Sequence, residues 1–232
     1  MYGSFELSLL FQRRILARSF TDAKVRSWLK EARGIYKELR SELPEIGGRR
    51  NKMRPFLTSS LLLMPIALIL KREGVPIRKV GEILYGIAAL AFNSTPLFAR
   101  KTQATRLFSE KESSSWMEIS VKSKERKFEG DWVLEFIGGE SSFHHGYDVT
   151  ECAILKYWKS HELEEFVPYL CLTDWAKWNA LGIEVRREGT LANGCAKCDF
   201  RFIRPGCMTP TGWPPETMPE WTGCFDRGSM EK

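Results

Sequence analysis

Three cysteines in the second half of the chain have the clearest capacity for covalent chemistry. Cys152 directly follows Glu151, Cys171 precedes Asp174 by three residues, and Cys198 lies nearer the C-terminus. A thiol becomes a strong nucleophile when a neighbouring base or a positive potential lowers its pKa. The predicted catalytic residues are therefore Cys152, Cys171, Cys198, Asp174 and Glu151.

The predicted secondary structure puts these groups in positions suited to proton transfer. Glu151 and Cys152 fall at the start of a predicted helix, where backbone N–H groups and the helix dipole favour an anion or a thiolate. Cys171 and Asp174 are three residues apart on the next predicted helix and therefore share a face. The alternative is that each cysteine is a small buried hydrophobic residue, which is common for free thiols.

Two further residues are candidates for substrate binding near the thiols. His145 precedes the helix that carries Cys152 and would complete a Cys/His pair, unless it is an ordinary loop histidine. Thr190 lies in a turn-forming Gly-Thr-Leu-Ala-Asn-Gly segment. Its hydroxyl would either contact a substrate or close that turn.

The last predicted strand supplies two more candidates, Asp199 and Arg201. A guanidinium binds a carboxylate through two parallel hydrogen bonds, so Arg201 could hold an anionic substrate. Arg186 and Arg187 offer the same chemistry, but strand alternation places them on opposite faces, so at most one of them would serve.

A metal centre and a redox pair are the alternatives to thiol catalysis. Cys195-x-x-Cys198 has a spacing suited to zinc, and Cys207 with other candidate residues would supply the remaining ligands. A second C-x-x-C pair is missing from the sequence. We therefore expect no cofactor, with zinc as the alternative.

Composition indicates a folded protein with a mildly basic surface. The chain has 232 residues, 43% of them hydrophobic, and its formal net charge is +6. This balance suits a small anionic substrate and lacks the large excess of Lys and Arg expected of a nucleic-acid-binding protein. Basic residues near the N-terminus indicate a solvated helix face, or a docking patch as the alternative.

The sequence favours a cytoplasmic protein without a membrane partner. No signal-peptide pattern precedes Arg13, and six cysteines are too few for a disulfide-built scaffold. The apolar stretch Leu57–Leu70 is shorter than the roughly 20 residues that span a bilayer, so we predict a buried helix there. The sequence leaves open whether the protein forms a homo-oligomer.

Residues 1–100 are predicted to form a helical layer. Apolar residues recur at three- and four-residue spacing from Phe5 to Leu43, with a break near Ser19–Asp22. Two more helices are predicted at Thr58–Arg72 and Ile77–Phe92, separated by a Gly-Val-Pro turn that ends one helix and begins the next.

Residues 101–204 show a mixed pattern that predicts an α+β fold, forming one compact domain with the helical region. The predicted elements are, in order, a hairpin of strands Trp116–Val121 and Trp132–Ile137, helices Asp148–Trp158 and Leu163–Leu181, and strands Glu184–Arg187 and Cys198–Ile203. The order strand-strand-helix-helix-strand-strand indicates an antiparallel sheet backed by helices.

Residues 205–232 form a proline-rich tail. Its prolines alternate with Trp213 and Trp221 and exclude a long helix or a central strand. Two tryptophans would be costly to leave in water, so we expect the tail to pack on the domain or on a neighbouring subunit.

Four motifs between Tyr147 and Phe202 carry a family resemblance. They read Tyr-Asp-Val-Thr-Glu-Cys, Phe-Val-Pro-Tyr-Leu-Cys-Leu-Thr-Asp, Leu-Gly-Ile-Glu-Val-Arg-Arg-Glu-Gly-Thr-Leu-Ala-Asn-Gly and Cys-Asp-Phe-Arg-Phe. Together they resemble the signature half of the L-2-amino-thiazoline-4-carboxylic acid hydrolase family. The segment Leu43–Gly48 and the helices after it resemble that family's N-terminal half, so the likeness extends to about Arg204. Cys195-Ala196-Lys197-Cys198 departs from the paired cysteines or acidic pair that often precede the final motif.

The resemblance implies a hydrolase that opens a sulfur-containing thiazoline ring. Such a reaction needs a nucleophile at the ring carbon between sulfur and nitrogen, a proton donor for the departing atom and a counter-charge for the substrate carboxylate. The alternative is a non-catalytic small-ligand-binding or accessory subunit with the same fold, because fold alone does not determine the reaction.

Overall fold

The computed structural model describes residues 2–203 and confirms the α+β class. The helices are α1 (Tyr2–Leu16), α2 (Asp22–Ser41), α3 (Arg54–Leu61), α4 (Met64–Arg72), α5 (Ile77–Asn93), α6 (Leu97–Leu107), α7 (Glu110–Ser123), α8 (Ala153–Lys159) and α9 (Val167–Leu181). The strands are β1 (Val133–Ile137), β2 (His145–Glu151), β3 (Glu184–Arg186) and β4 (Cys198–Ile203). The predicted tail, residues 205–232, lies outside the described residues.

The N-terminal helices follow the predicted layer with one difference. The break between α1 and α2 is where the sequence predicts it, but the predicted helix Thr58–Arg72 is two helices that meet at Leu62–Leu63. Pro65 explains this division, because proline has no N–H to donate and is tolerated only in the first turn of a helix. The polar connection after α5 also folds as helix, forming α6 and the first turn of α7.

One apolar stretch of the described residues could cross a membrane by length and composition. It runs from Arg54 to Arg72, and 56% of its most apolar window is buried inside the protein. Met64, Ile66 and Ile69 have no exposed surface. This burial agrees with the predicted core position of the stretch, which the structure forms from two helices, α3 and α4.

The sheet has the order β1-β2-β4-β3, and each neighbouring pair is antiparallel. Tyr147 pairs with Phe200, and Val149 pairs with Cys198. Along β4 the odd-numbered positions are partly exposed and the even-numbered positions are buried. Cys198 therefore shares the inner face of the sheet with Tyr147, and the helices cover that face.

The predicted strand Trp116–Val121 is wrong, because this segment lies in α7. Ser109 caps the helix by accepting a hydrogen bond from the backbone N–H of Glu112. Further along α7, Ser120 Oγ accepts the N–H of Phe136 at 3.0 Å, and Ser123 Oγ accepts the N–H of Leu134 at 3.1 Å. The helix thus takes the position beside β1 where the sequence suggested a paired strand.

The second strand of the sheet is β2, in the region predicted as a polar loop followed by a helix. His145 pairs with Phe202 and Asp148 pairs with Asp199. The predicted helix Asp148–Trp158 is therefore wrong over its first residues, and α8 begins only at Ala153. Strand β2 pairs with β1 on one side and with β4 on the other. The partners in β4 lie more than 40 residues later, so local sequence does not reveal them.

Helix α9 is held in place mainly by α5. The chain of α5 comes closest at Gly81, where an added Cβ would lie 2.4 Å from the ring of Tyr169. Tyr85, Tyr169 and Leu172 are buried in the cluster formed by these two helices. Because α9 carries Cys171 and Asp174, this contact positions both residues.

Replacing Gly81 by alanine should lower the free energy of unfolding by about 1–3 kcal/mol, since Tyr169 must move to admit the methyl group. Gly86→Ala on the same helix is the matched control. Its Cβ would meet Ile15 at 3.4 Å, an ordinary contact, so the change should be neutral or stabilising by up to about 1 kcal/mol. Chemical denaturation of both variants measures the difference, and equal stabilities would contradict this account of the α5–α9 contact.

Candidate active site

Three cysteines from three separate elements converge beneath the sheet. Cys152 is the N-cap residue of α8, Cys171 lies on α9, and Cys198 opens β4. The charges of Cys152 and Cys198 both act to raise the pKa of Cys171, as expected of thiols in one region of the fold. The sequence prediction that these residues lie together is therefore consistent with the structure.

An ion pair lies at the centre of this group. The Arg187 guanidinium donates to Asp174 Oδ2 at 2.8 Å and to the carbonyl oxygen of Cys171 at 2.9 Å. The Arg187 side chain is only 2% exposed, and its guanidinium lies over the ring of Phe200 at 4.8 Å. The negative charge of Asp174 acts on all three thiols.

Tyr147 belongs to the same group. Burial first, and then the charge of Asp174, raises the pKa of its hydroxyl, so the phenol stays neutral at physiological pH. Its ring stacks on Trp116 at 4.9 Å and contacts Phe200 at the same centroid distance. The wall of the site on the sheet side is thus aromatic, with one neutral hydroxyl.

Burial keeps the three thiols protonated. It raises the pKa of Cys152 and of Cys171, and it raises the pKa of Cys198 to about 12. The backbone N–H of Leu191 donates to Cys198 Sγ at 3.2 Å. The backbone N–H groups of Ile154 and Leu155, at the start of α8, partly offset the rise in the pKa of Cys152. The Cys152 side chain forms no capping hydrogen bond with this helix. The three thiols are therefore neutral at physiological pH.

Two neighbouring residues of α9, Lys177 and Trp178, were missed by the sequence reasoning. The Lys177 ammonium lies 4.5 Å from the centre of the Phe56 ring and 4.2 Å from that of Trp178. Burial lowers its pKa more than the charge of Asp174 raises it. Each cation–π contact contributes only about 0.5–2 kcal/mol. The signal in the sequence is spacing, because Lys177 follows Asp174 by three residues and Cys171 by six.

Arg187 was only one of several arginines that the sequence offered. Strand alternation decides between Arg186 and Arg187: Arg186 is exposed and pairs with Glu184, whereas Arg187 points inward. From the sequence, at most one of the two arginines could bind a carboxylate at the site. Which one could not be predicted, because the inner face of β3 was unknown.

Glu151 is not part of the thiol group. Its carboxylate binds Lys156 at 2.5 Å and Arg126 at 2.8 Å, and these contacts, the Lys156 hydrogen bond first, lower its pKa. Lys156 also donates to the carbonyl oxygens of Glu129 and Asp131. Glu151 is therefore ionised and occupied in tying α8 to the segment before β1.

Three other predicted residues have structural partners outside the group. Thr190 Oγ1 accepts the N–H of Asn193 and so closes its own turn. Asp199 accepts the backbone N–H groups of Glu188 and Gly189. Arg201 pairs with Asp148 at 2.8 Å on the outer face of the sheet. Their predicted contact with a substrate stays a prediction.

His145 does not form the predicted Cys/His pair. It is 1% exposed, and its Nδ1 lies 3.1 Å from Nδ1 of His144. Its Nε2 has no hydrogen-bond partner among the described residues. Burial first, and then the charge of His144, lowers its pKa to about 4, so the ring is neutral and stacked on Phe202 at 5.1 Å.

Two surface cavities that described residues line have no cysteine in their lining. The larger, about 710 Å³, is lined by Glu151, Lys156, Tyr157 and Arg126 among others. The smaller, about 470 Å³, shares Arg126 with it. Arg126 adopts a left-handed conformation with φ of 50° and lines both cavities.

Residues 2–203 contain no cluster of three or more histidine, cysteine or acidic side chains that could hold a metal ion. Cys195 is exposed and Cys198 is buried, and neither is in a disulfide. Cys207, the third residue of the zinc hypothesis, lies outside the described residues.

The fold and this group of residues define an α+β protein with three thiols and a carboxylate beneath an antiparallel sheet. Cys198 is buried, and Cys152 and Cys171 are partly exposed. The model of the L-2-amino-thiazoline-4-carboxylic acid hydrolase family matches residues 65–202, more than half of the chain. The chain therefore belongs to that family, and all residues of the thiol group lie in the matched region. The resemblance at Leu43–Gly48 lies before the match and stays a prediction. No curated protein and no solved structure matches the chain.

Alkylation at pH 7 should distinguish the thiols by burial. Exposed Cys195 should react with iodoacetamide at least roughly tenfold faster than Cys152, Cys171 or Cys198, because only the thiolate reacts and burial disfavours it. Peptide mass spectrometry after timed quenching measures each rate, and unfolded protein provides the control in which the difference disappears. Rapid labelling of all three in the folded protein would show that they are not protected.

His145 should make folding stability fall as the pH drops below 6.5. The unfolded ring takes up a proton near its ordinary pKa of 6.5, whereas the folded ring does so only near 4. Stability is thus fully present above pH 6.5 and decreases by roughly 2–4 kcal/mol as the pH falls to 4. Urea denaturation of wild type and His145→Phe at several pH values should show a shallower decrease in the variant, and equal slopes would contradict this.

Proposed function

We propose that this protein is a hydrolase that opens a small sulfur- and nitrogen-containing ring, such as L-2-amino-thiazoline-4-carboxylate, at a cysteine-containing site. The convergence of Cys152, Cys171 and Cys198 around Asp174 carries the proposal. The family match over residues 65–202 supports the reaction class. The cysteines are far apart in the sequence, and their only shared feature is this buried centre.

The reaction needs a nucleophile and a group that moves one proton. One of the three thiols attacks the ring carbon between sulfur and nitrogen while Asp174 takes the thiol proton. Attack turns the carbon–nitrogen double bond of the ring into a single bond, and Asp174 passes the thiol proton to the ring nitrogen. That single bond then breaks while the exocyclic amino group becomes an imine, and the proton that the amino group loses goes to the departing nitrogen, which leaves as an amine. Water then replaces the enzyme sulfur, which departs as the thiol, so one water is consumed and the cysteine is regenerated.

Asp174 is better suited to this proton transfer than Glu151. Its charge reaches every thiol of the group, and Cys171 lies one helical turn away on α9. Arg187 fixes the orientation of the carboxylate and supplies positive potential beside it. Because the thiols are neutral at rest, the proton must be removed as the carbon–sulfur bond forms.

A small anionic substrate in the cytoplasm completes the proposal. The positive net charge favours anions. Cys152, Cys171, Cys195 and Cys198 are all free thiols, as expected of a reducing compartment. We propose neither a nucleic-acid nor a membrane partner.

Non-catalytic ligand binding is the second candidate function. One observation favours it: burial raises the pKa of all three thiols, so they rest in the protonated form. In that case the same centre would bind a small molecule without turnover.

Incubation with L-2-amino-thiazoline-4-carboxylate tests the hydrolase. At least one of the Ser variants of Cys152, Cys171 and Cys198 should lower kcat/KM by roughly a hundredfold or more, because serine is a far weaker nucleophile at these positions. Cys195→Ser is the matched control and should retain wild-type turnover. Ring opening is followed by chromatography.

Undiminished turnover in all three Ser variants would exclude thiol catalysis. Stoichiometric binding of the compound without ring opening would support the ligand-binding alternative. Loss of activity in Cys195→Ser together with the others would indicate a general effect on folding, which circular dichroism of each variant measures separately.

A further inference from the structure

Lys177 carries a positive charge without a matching acceptor. Its ammonium contacts the faces of Phe56 and Trp178, and within residues 2–203 it has neither a hydrogen bond nor an ion pair. An aromatic face attracts a cation but cannot accept its three N–H donors. The ammonium therefore keeps its capacity to bind an anion.

Trp178, the next residue, has an unused donor of its own. The residue is only 5% exposed, and its indole Nε1 has no hydrogen-bond partner among the described residues. Most buried polar groups in proteins are hydrogen-bonded, so an indole N–H that is unpaired within residues 2–203 is available to a partner from outside them. Two adjacent residues thus present unpaired N–H groups.

The nearest carboxylate along α9 is already engaged. Asp174 lies one helical turn before Lys177, but its Oδ2 accepts the hydrogen bond of Arg187 at 2.8 Å. Lys177 forms no ion pair with Asp174, so within residues 2–203 its charge has no carboxylate partner. Buried charges require compensation, and a carboxylate ligand would supply it.

We propose that Lys177 and the indole N–H of Trp178 bind the carboxylate of a small anionic ligand. If the proposed function holds, on which this reading rests, the ligand is the heterocyclic substrate. Lys177 follows Cys171 by six residues, which corresponds to a rise of about 9 Å along the helix. A lysine side chain and a small ring together can span that distance, so the ring would reach the thiol side of α9.

Isothermal titration with thiazolidine-4-carboxylate, a saturated ring that is not a cyclic amidine, tests the site without turnover. Lys177→Met should weaken binding by at least about tenfold, because the ammonium is the charged partner. Lys177→Arg should retain most of the affinity. Trp178→Phe keeps an aromatic face but removes the N–H, and it should weaken binding by roughly threefold or more.

Two controls separate a local effect from a general one. Lys37→Met removes the same charge from an exposed position on α2 and should leave binding unchanged. Thiazolidine-4-carboxamide has the same ring without the negative charge and should bind the wild-type protein at least about tenfold more weakly. Thermal melting of each variant checks that it is folded.

Equal affinity of the wild type and Lys177→Met for the carboxylate would overturn the site. Equal binding of carboxylate and carboxamide, or no binding of the carboxylate by the wild type, would overturn it as well. Carboxylate binding that depends on Lys177 in a protein that does not open the aminothiazoline ring would refute the hydrolase and leave the anion site in place.

Discussion

The ion pair between Arg187 and Asp174 connects the two halves of the candidate site. Arg187 follows β3 and Asp174 lies on α9, so their contact fixes the helix against the inner face of the sheet. The second bond of Arg187, to the carbonyl oxygen of Cys171, holds the same turn of α9. The pair thus gives the thiol of α9 and the thiol of β4 polar neighbours in common.

The side chains in and around that pair differ in charge: some are neutral, and others are cationic. It disfavours the charged forms of the thiols and of Tyr147, so these side chains remain neutral. Arg187 stays charged because its guanidinium is hydrogen-bonded and lies over Phe200. The result is a group of low polarity with two cationic side chains, Arg187 and Lys177, in which electrostatic interactions are stronger than in water.

The second half of the fold was largely predictable, because its signals are local. Gly182 ends α9 with a φ of 68°, and Gly194 closes the turn before β4 with a φ of 81°, as their positions in the sequence suggested. The strand predicted at Trp116–Val121 was wrong because the spacing of its apolar residues suits a strand as well as a helix. The helix is distinguished from a strand by long-range hydrogen bonds, in which Ser120 and Ser123 accept backbone N–H groups of β1.

The candidate site was predictable only in part. The three cysteines were named from spacing and from the family resemblance, and the structure brings them together. Lys177 was missed because an isolated lysine on a helix is ordinarily a solvated residue, and only its contact with Phe56 on α3 shows otherwise. Glu151 was grouped with the thiols because it adjoins Cys152, but neighbours at the end of a strand point in different directions.

The serine hydroxyls of α7 also limit how this protein can associate with copies of itself. An uncovered edge strand offers unpaired amides to other chains and invites continuous β-sheet growth. Here, Ser120 and Ser123 occupy amides of β1, and the other edge strand, β3, has only three residues. Strand addition is thereby disfavoured at both edges of the sheet that residues 2–203 form.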